Sequence, residues 1–201
     1  MAELKNVCVY CGSSSGNNPR YLEAARMLGT ALAREKIRLV YGGGGIGMMG
    51  EVARAAESEG GKVLGIIPHF LVAREHAEQG AREIVVVSDM HERKRMMFER
   101  ADAFVALPGG IGTLEELVEQ LAWLQLGRHK KPVLLANILG YWSPLIELLK
   151  HLGTEGYLYN GPNYLVAERI EDVLPKLRAA LRHVSETELH GKAAKAVVEG
   201  I

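Results

Sequence analysis

The stretch "DAFVALPGGIGTLEEL" (102–117) contains a short apolar run typical of a buried strand, then a glycine-rich turn, then the start of a helix. Thr113 and Glu116 have the spacing of a capping box, in which the threonine caps the helix and the glutamate reaches back. The glycines within 109–112 would also expose backbone amides at the positive end of the helix dipole, where an anion can bind. The stretch therefore predicts a capped helix start or a phosphate-binding loop, and leaves both alternatives open.

The same alternation of apolar run and helix recurs along the chain. Strand patterns are "NVCVYC", "IRLVYGG", "KVLGIIP", "EIVVVS", "DAFVALPGG", "PVLLAN" and, more weakly, "YLVAE". Helical patterns lie near residues 18–36, 47–60, 89–101, 113–126, 142–152 and 170–183. Strands that are apolar throughout are covered on both faces, as in parallel sheets. We expect an α/β fold: a doubly wound, mainly parallel, Rossmann-like sheet of about seven strands with helices on both faces.

The length of 201 residues fits one domain, which we place at 1–184, followed by a small, polar C-terminal tail at 185–201. One connection, from Pro68 to Arg82, is long for a link between a strand and a helix. Such a connection on the ligand-binding edge of the sheet is either a lid or site wall, or an ordinary surface excursion.

The charge balance excludes some classes of partner. The chain has 24 basic and 24 acidic residues and a formal net charge of zero, which disfavours a broad nucleic-acid-binding or anionic-membrane surface. Its apolar runs are shorter than the roughly 18 residues of a membrane-spanning helix. The N-terminus lacks the layout of a signal peptide. We therefore expect a soluble cytoplasmic protein with no nucleic-acid or membrane partner.

The two cysteines, Cys8 and Cys11, form a C-x-x-C within a strand-like pattern. A redox pair of the thioredoxin type needs the first cysteine at a helix start, and a zinc site needs further ligands, so two buried thiols are expected instead. The histidines His69, His76 and His129 lack metal-ligand spacing, as does His91, and no metal site is predicted.

A second glycine-rich loop lies in "VYGGGGIGMMGEVARAA" (40–56), where Gly45, Gly47 and Gly50 fit G-x-G-x-x-G between a strand and a helix. The next strand ends in Pro68 without the acidic residue that binds the ribose of NAD, so no dinucleotide cofactor is expected. The loop either approaches a phosphate or serves close packing of helix on strand. The candidate phosphate-binding residues of the two loops are Gly43, Gly44, Gly45, Gly47, Gly109, Gly110, Gly112 and Thr113.

The predicted helix "MHERKRMM" carries a basic cluster that includes Arg93, Lys94 and Arg95, and Arg100 follows it. Helical spacing would place Arg93 and Arg100 on one face with Met97. This face is either solvated or placed so that a cation pairs with an anionic ligand or with Glu116.

Three stretches taken together resemble the LONELY GUY family of cytokinin-activating phosphoribohydrolases, whose sequences are often labelled lysine decarboxylases. They are "GGGGIGMMG" (42–50), "MHERKRMM" (90–97) and "PGGIGTLEEL" (108–117). The family signature P-G-G-x-G-T-x-x-E matches Pro108 to Glu116, and its upstream R-K pair matches Arg93 and Lys94. The resemblance extends in order and spacing over roughly residues 5 to 175.

The resemblance implies hydrolysis of the N-glycosidic bond of N6-substituted adenosine 5′-monophosphates, without a cofactor, to a free base and ribose 5-phosphate. Arg93 and Glu116 would be the catalytic residues. The implied substrate contacts are Glu75, Arg93, Lys94, Gly110, Ile111, Gly112, Thr113, Leu114, Glu115 and Glu116. Many family members are homodimers, and the apolar residues of "EELVEQLAWLQLG" (115–127) exceed the stripe that a surface helix needs, which favours a dimer here.

The chain departs from plant members at Ile111, where they commonly have tyrosine, and at Ala122, where they often have threonine. These departures concern the preferred base. Alternative functions are an AMP nucleosidase of broader specificity and a non-catalytic nucleotide-binding module. A lysine decarboxylase would need a lysine for pyridoxal phosphate and a larger fold.

Cleavage of a nucleoside bond passes through an oxocarbenium-like transition state, which a carboxylate can stabilise while it activates water. Glu116 is the candidate for this carboxylate.

Overall fold

The computed structural model describes residues 3–74, 83–158 and 164–184, and seven strands and six longer helices lie in these ranges. The strands are β1 (Asn6–Tyr10), β2 (Arg38–Tyr41), β3 (Val63–Pro68), β4 (Glu83–Val87), β5 (Ala103–Ala106), β6 (Val133–Ala136) and β7 (Leu165–Ala167). The helices are α1 (Pro19–Arg34), α2 (Gly47–Ser58), α3 (Met90–Arg100), α4 (Ile111–Gln125), α5 (Ser143–Thr154) and α6 (173–184). Short 3₁₀ turns occupy His69–Leu71, Ile138–Gly140 and Ile170–Asp172.

All seven strands form one parallel sheet in the order β4-β3-β2-β1-β5-β6-β7. The inner strands are apolar because both faces of the sheet are covered there, whereas the edge strand β4 is partly exposed. Residues of α1, α2 and α6 complete the core on one face. Residues of α3, α4 and α5 complete it on the other. The predicted fold class, a doubly wound parallel sheet of seven strands with helices on both faces, is confirmed.

The strand order changes direction between β1 and β5. In open α/β sheets a crevice opens at such a point, outside the carboxyl ends of the two strands, and ligands bind there. The connections that follow β1 and β5 line it: Gly12 donates its amide to the carbonyl of Pro108 at 3.1 Å. This edge of the sheet is where a site is expected.

The predicted element boundaries agree with the structure to within a few residues, with two corrections. The helix predicted near 113 begins two residues earlier, at Ile111, because Gly110 rather than Thr113 is its N-cap residue. The segment predicted as one helix from 170 begins with a 3₁₀ turn before α6. Glu75, the end of the long connection after Pro68 and the tail at 185–201 lie outside the described residues, and the domain boundaries stay a prediction.

Both cysteines are buried free thiols, as predicted. Cys8 packs on one face of the sheet and Cys11 on the other, so they belong to different halves of the core. Burial raises the pKa of the Cys8 thiol well above its ordinary value. Such a thiol is a poor nucleophile. In the described ranges, no helix is both long enough and apolar enough to span a membrane.

Candidate active site

The N-terminus of α4 is open rather than capped by a side chain. Its N-cap residue is Gly110, and no side chain accepts a hydrogen bond from its first turn. The capping box predicted from Thr113 and Glu116 is therefore wrong: Thr113 lies inside the first turn, and Glu116 is too far along the helix to reach back. Thr113 is buried instead against Gly109, in space that any side chain at position 109 would need.

Three backbone amides point out of this helix start. Those of Ile111, Gly112 and Thr113 have no hydrogen-bond acceptor among the described residues, whereas the next amide, of Leu114, bonds to Gly110 at 3.0 Å. Helix starts normally satisfy such amides with side chains, water or ligands. The glycines at 110 and 112 are not required by the fold, since a Cβ at either position would meet open space and neither has a positive φ. Their small size leaves room for a ligand to approach the backbone.

The N-terminus of α2 differs, although its glycine-rich sequence is similar. Its first amides are already used: Met48 donates to the carbonyl of Ser14 at 3.3 Å, and Met49 donates to that of Gly12 at 3.1 Å. A Cβ on Gly47, which has a φ of 58°, would collide with the backbone of Ser13. Packing thus accounts for the amides of Met48 and Met49. The prediction that Gly43, Gly44, Gly45 and Gly47 bind phosphate stays a prediction.

Arg93 on α3 links three elements at the carboxyl edge of the sheet. Its Nε donates to the carbonyl of Ile66 on β3 at 3.1 Å, and its Nη2 donates to that of Gly42 after β2 at 3.4 Å. Its Nη1 lies 3.3 Å from Oε1 of Glu116 on α4. Both residues are almost fully buried, at 6% and 7% exposed. The proposed catalytic pair is therefore in direct contact, with its charges mutually compensated.

Lys94 faces a different set of partners. Its ammonium donates to Glu115 at 2.5 Å and to Glu119 at 3.0 Å, so it bridges α3 to the outer side of α4. Arg95 and Arg100 are exposed. Arg100 shares the helical face of Arg93 and Met97, as predicted, but lies at the last residue of α3, outside the core. Within this basic cluster, only Arg93 and Lys94 are buried.

A crevice of about 630 Å³ lies outside β1 and β5. The loop after β1 lines one side with Ser14 and Asn17, and Gly110 lines the other. Tyr141, which precedes α5, also lines the crevice and donates its phenol hydrogen to the carbonyl of Gly109 at 2.5 Å. A second cavity of about 480 Å³ lies on the other side of Tyr141, between α4 and α5.

Three residues of this edge were not found from the sequence. Gly42 lies next to the predicted glycines, and its hydrogen faces the guanidinium of Arg93, which a Cβ would displace. Glu119 shares Lys94 with Glu115. Tyr141 contacts the glycine loop from 32 residues away. No local pattern marks any of them, because each role depends on contacts between distant segments.

The buried histidine of the described chain has a structural role. The backbone amide of Lys131 donates to Nδ1 of His129 at 3.1 Å, which leaves Nε2 facing the carbonyl of Gln120 at 3.3 Å. Burial lowers the pKa of His129 below its ordinary value, which favours this neutral form. His69 and His91 are exposed, and His76 lies outside the described residues.

The parallel sheet, the open N-terminus of α4 and the buried arginine–glutamate pair define a Rossmann-like α/β protein with a candidate site for a small anionic ligand. Residues 49–177 match the family described as possible lysine decarboxylase. The chain is 46% identical to cytokinin riboside 5′-monophosphate phosphoribohydrolase LOG7 of Arabidopsis thaliana, over 93% of this chain and 84% of that protein. It is 43% identical to the cytokinin riboside 5′-monophosphate phosphoribohydrolase of Rhodococcoides fascians, over 87% and 90%. The chain therefore belongs to the family of these phosphoribohydrolases, which is the family that its sequence resembles.

Solved structures with the same fold include a molybdenum cofactor binding protein from Rippkaea orientalis. It has a TM-score of 0.67 and 21% identity, over 90% of this chain and 99% of that one. The molybdenum cofactor carrier protein of Chlamydomonas reinhardtii gives the same TM-score, identity and coverage. At 21% identity, this similarity shows only that the proteins share a fold.

The position of Thr113 inside α4 can be tested by stability. Thr113→Val keeps the shape of this buried side chain and removes a hydroxyl that forms no hydrogen bond with the described residues. Because no hydrogen bond is lost, we expect the free energy of unfolding in urea to change by less than about 0.5 kcal/mol. Asp89→Ala is the matched control, because Asp89 accepts the amides of His91 and Glu92, both at 2.8 Å, as a true N-cap. That control should lose about 1 kcal/mol. A similar loss in Thr113→Val would restore the capping box.

Proposed function

We propose that the protein hydrolyses the N-glycosidic bond of N6-substituted adenosine 5′-monophosphates, releasing the free base and ribose 5-phosphate. The observation that carries the proposal is the buried contact between Arg93 and Glu116, one turn along α4 from its unpartnered amides. The names of the two relatives, which describe phosphoribohydrolases of cytokinin riboside 5′-monophosphates, support the same reaction.

The 5′-phosphate binds at the N-terminus of α4 in this proposal. The amides of Ile111, Gly112 and Thr113 supply hydrogen-bond donors, and the helix dipole favours the negative charge. A lysine is not needed in the loop, since backbone amides and the dipole act together. The substrate contacts proposed for Gly110, Leu114 and Glu115 follow from their place in the same turn, and that of Glu75 rests on the family resemblance alone.

Glu116 is the proposed general base. Its carboxylate takes a proton from a water molecule whose oxygen forms the new bond to C1′ of the ribose. The bond between C1′ and the base nitrogen breaks, and its electron pair stays with the base. The leaving base takes a proton from solvent on a ring nitrogen, and Glu116 returns to solvent the proton that it took from the attacking water. Positive charge develops on the ribose in the transition state, and the negative carboxylate stabilises it.

Arg93 acts mainly by orientation in this mechanism. Arginine is a poor acid because its pKa is very high, so its guanidinium does not donate the proton to the base. Its bonds to the carbonyls of Ile66 and Gly42 fix the guanidinium, which in turn fixes the carboxylate of Glu116. Because the rotamer of Glu116 is already fixed, less conformational entropy is lost when the substrate binds.

The surroundings of Lys94 do not favour a lysine decarboxylase, although the family is described as a possible one. A Schiff base forms from a neutral amine, which needs a lysine with a lowered pKa. Burial alone would lower the pKa of Lys94, but its hydrogen bonds to Glu115 and Glu119 outweigh it and raise the pKa above its ordinary value. Lys94 therefore stays protonated.

The choice between an N6-substituted nucleotide and plain AMP depends on the walls around the base. Ile111 is 82% exposed at the start of α4, where an aromatic residue is common in plant relatives of the resembled family. An AMP nucleosidase is the second candidate function, because this position offers the base an aliphatic side chain in place of a ring.

Removal of the proposed base tests the reaction. In Glu116→Gln the amide can still accept a hydrogen bond from Arg93, but it cannot take a proton from water. We expect kcat for release of base from isopentenyladenosine 5′-monophosphate to fall about 10²- to 10⁴-fold, measured by chromatography of the free base. Glu147→Gln, an exposed change on α5, is the control and should leave kcat unchanged.

Three results would contradict parts of this proposal. Normal turnover by Glu116→Gln excludes Glu116 as the base. Faster turnover of AMP than of the isopentenyl nucleotide favours the AMP nucleosidase. Binding of the nucleotide by the unmodified protein without release of base favours a non-catalytic module.

A substitution at Gly112 tests the phosphate site independently of Glu116. Gly112→Ala places a methyl group where the amides meet the ligand, so we expect KM for the nucleotide to rise about tenfold or more. Alanine is also the better helix former, so the free energy of unfolding should rise by up to about 1 kcal/mol. Gly153→Ala on α5, where a Cβ also meets open space, is the matched control and should stabilise without a change in KM. An unchanged KM in Gly112→Ala would exclude this phosphate site.

We further propose that the protein forms a homodimer through α4 and α5. Ile111 and Leu126, at the two ends of α4, are 82% and 79% exposed, and Leu148 on α5 is 52% exposed. Ile111 and Leu148 line the same cavity between the two helices, and exposed aliphatic side chains grouped in this way mark contact surfaces between proteins. Light scattering at micromolar concentration should give twice the monomer mass, and Leu126→Glu should lower it. A monomer at that concentration would contradict the proposal.

A further inference from the structure

The turn that leads into α4 has its carbonyl groups held from three sides. The indole of Trp142 donates to Ala106 at 3.1 Å, the amide of Gly12 to Pro108 at 3.1 Å, and the phenol of Tyr141 to Gly109 at 2.5 Å. A carbonyl oxygen that faces an anion repels it, whereas an amide hydrogen attracts it. The elements around this turn therefore decide which groups of its backbone an anion meets.

The contact with Tyr141 has the largest consequence, because it acts on the peptide between Gly109 and Gly110. In a trans peptide the carbonyl and the following amide hydrogen point in opposite directions. When Tyr141 binds the carbonyl of Gly109, the amide hydrogen of Gly110 is turned away from the phenol. This peptide lies between two glycines, so rotation of its plane meets little steric resistance.

Tyr141 is itself held firmly. Its ring packs edge-on against Tyr21, with ring centres 5.5 Å apart, and against Trp142, at 5.0 Å. Its own amide bonds to the carbonyl of Ile138 at 3.1 Å. The preceding turn contains Leu139 at a φ of 55°, a left-handed conformation that costs energy for a leucine. The phenol is thus delivered by a turn with a defined, strained shape.

We propose that Tyr141 is a positioning residue for the phosphate of the substrate. It holds the Gly109 carbonyl away from the start of α4, so that the Gly110 amide adds to the donors of Ile111 and Gly112. The inference rests on the proposed function only in taking the ligand to be a phosphorylated ribose. Nothing in the local sequence of the glycine loop indicates this role.

The kinetic consequence follows from where the phosphate lies. The phosphate is the same in the bound substrate and in the transition state, so its contacts stabilise both equally and affect KM rather than kcat. Tyr141→Phe keeps the ring and its packing but removes the hydroxyl. Its KM should rise about five- to tenfold, as expected for one lost hydrogen bond, while its kcat changes less than twofold.

The experiment compares the unmodified protein, Tyr141→Phe and Leu139→Asn. Asparagine tolerates the left-handed conformation, so the third protein controls for a change in the turn that leaves the phenol in place. Calorimetric titration with ribose 5-phosphate should give a dissociation constant about five- to tenfold higher for Tyr141→Phe and unchanged for Leu139→Asn. KM should change in parallel, and the thermal midpoints show that all three proteins are folded.

The outcomes separate this proposal from the proposed function. If the unmodified protein binds ribose 5-phosphate but releases no base, the proposed function fails, and the ratio of dissociation constants still tests Tyr141. Equal dissociation constants for Tyr141→Phe and the unmodified protein would overturn the positioning role. It would also be overturned if kcat fell and KM did not rise, or if the unmodified protein failed to bind ribose 5-phosphate.

Discussion

The buried ion pair of Arg93 and Glu116 holds together the edge of the sheet on which the rest of the site depends. Two nearly unexposed charges are costly to bury, and a pair of this kind is retained only with good compensation. The guanidinium obtains it from the carboxylate and from the carbonyls of Ile66 and Gly42. The pair therefore fixes α3 and α4 relative to the carboxyl ends of β2 and β3.

Two glycine-rich helix starts lie side by side at this edge, and their surroundings give them different properties. The second and third amides of α2, those of Met48 and Met49, bond to carbonyls of the loop after β1, so they stabilise the fold. The equivalent amides of α4 have no acceptor among the described residues, so they are available to a ligand. Glu116 does not repel an anion at those amides, because its carboxylate is turned inward to Arg93, one turn along the helix.

The fold could be predicted from the sequence because its signals are local. Seven apolar runs separated by helical patterns fix a parallel sheet covered on both faces, and the structure confirms it. The contact of Arg93 with Glu116 was also foreseen as one alternative. The capping box failed because Gly110 starts α4 earlier, a difference that depends on the packing of Thr113 against Gly109. Tyr141 could not be found, since its bond joins segments 32 residues apart.

We propose that the phosphate lies at the start of α4 while Glu116 faces the ribose. A crystal structure of Glu116→Gln with AMP would test this arrangement, because the variant should bind the nucleotide without cleaving it. We expect phosphate oxygens within about 3 Å of the amides of Ile111 and Gly112, with the side chain at position 116 next to C1′. A phosphate bound at the start of α2, or a ribose remote from position 116, would exclude this arrangement.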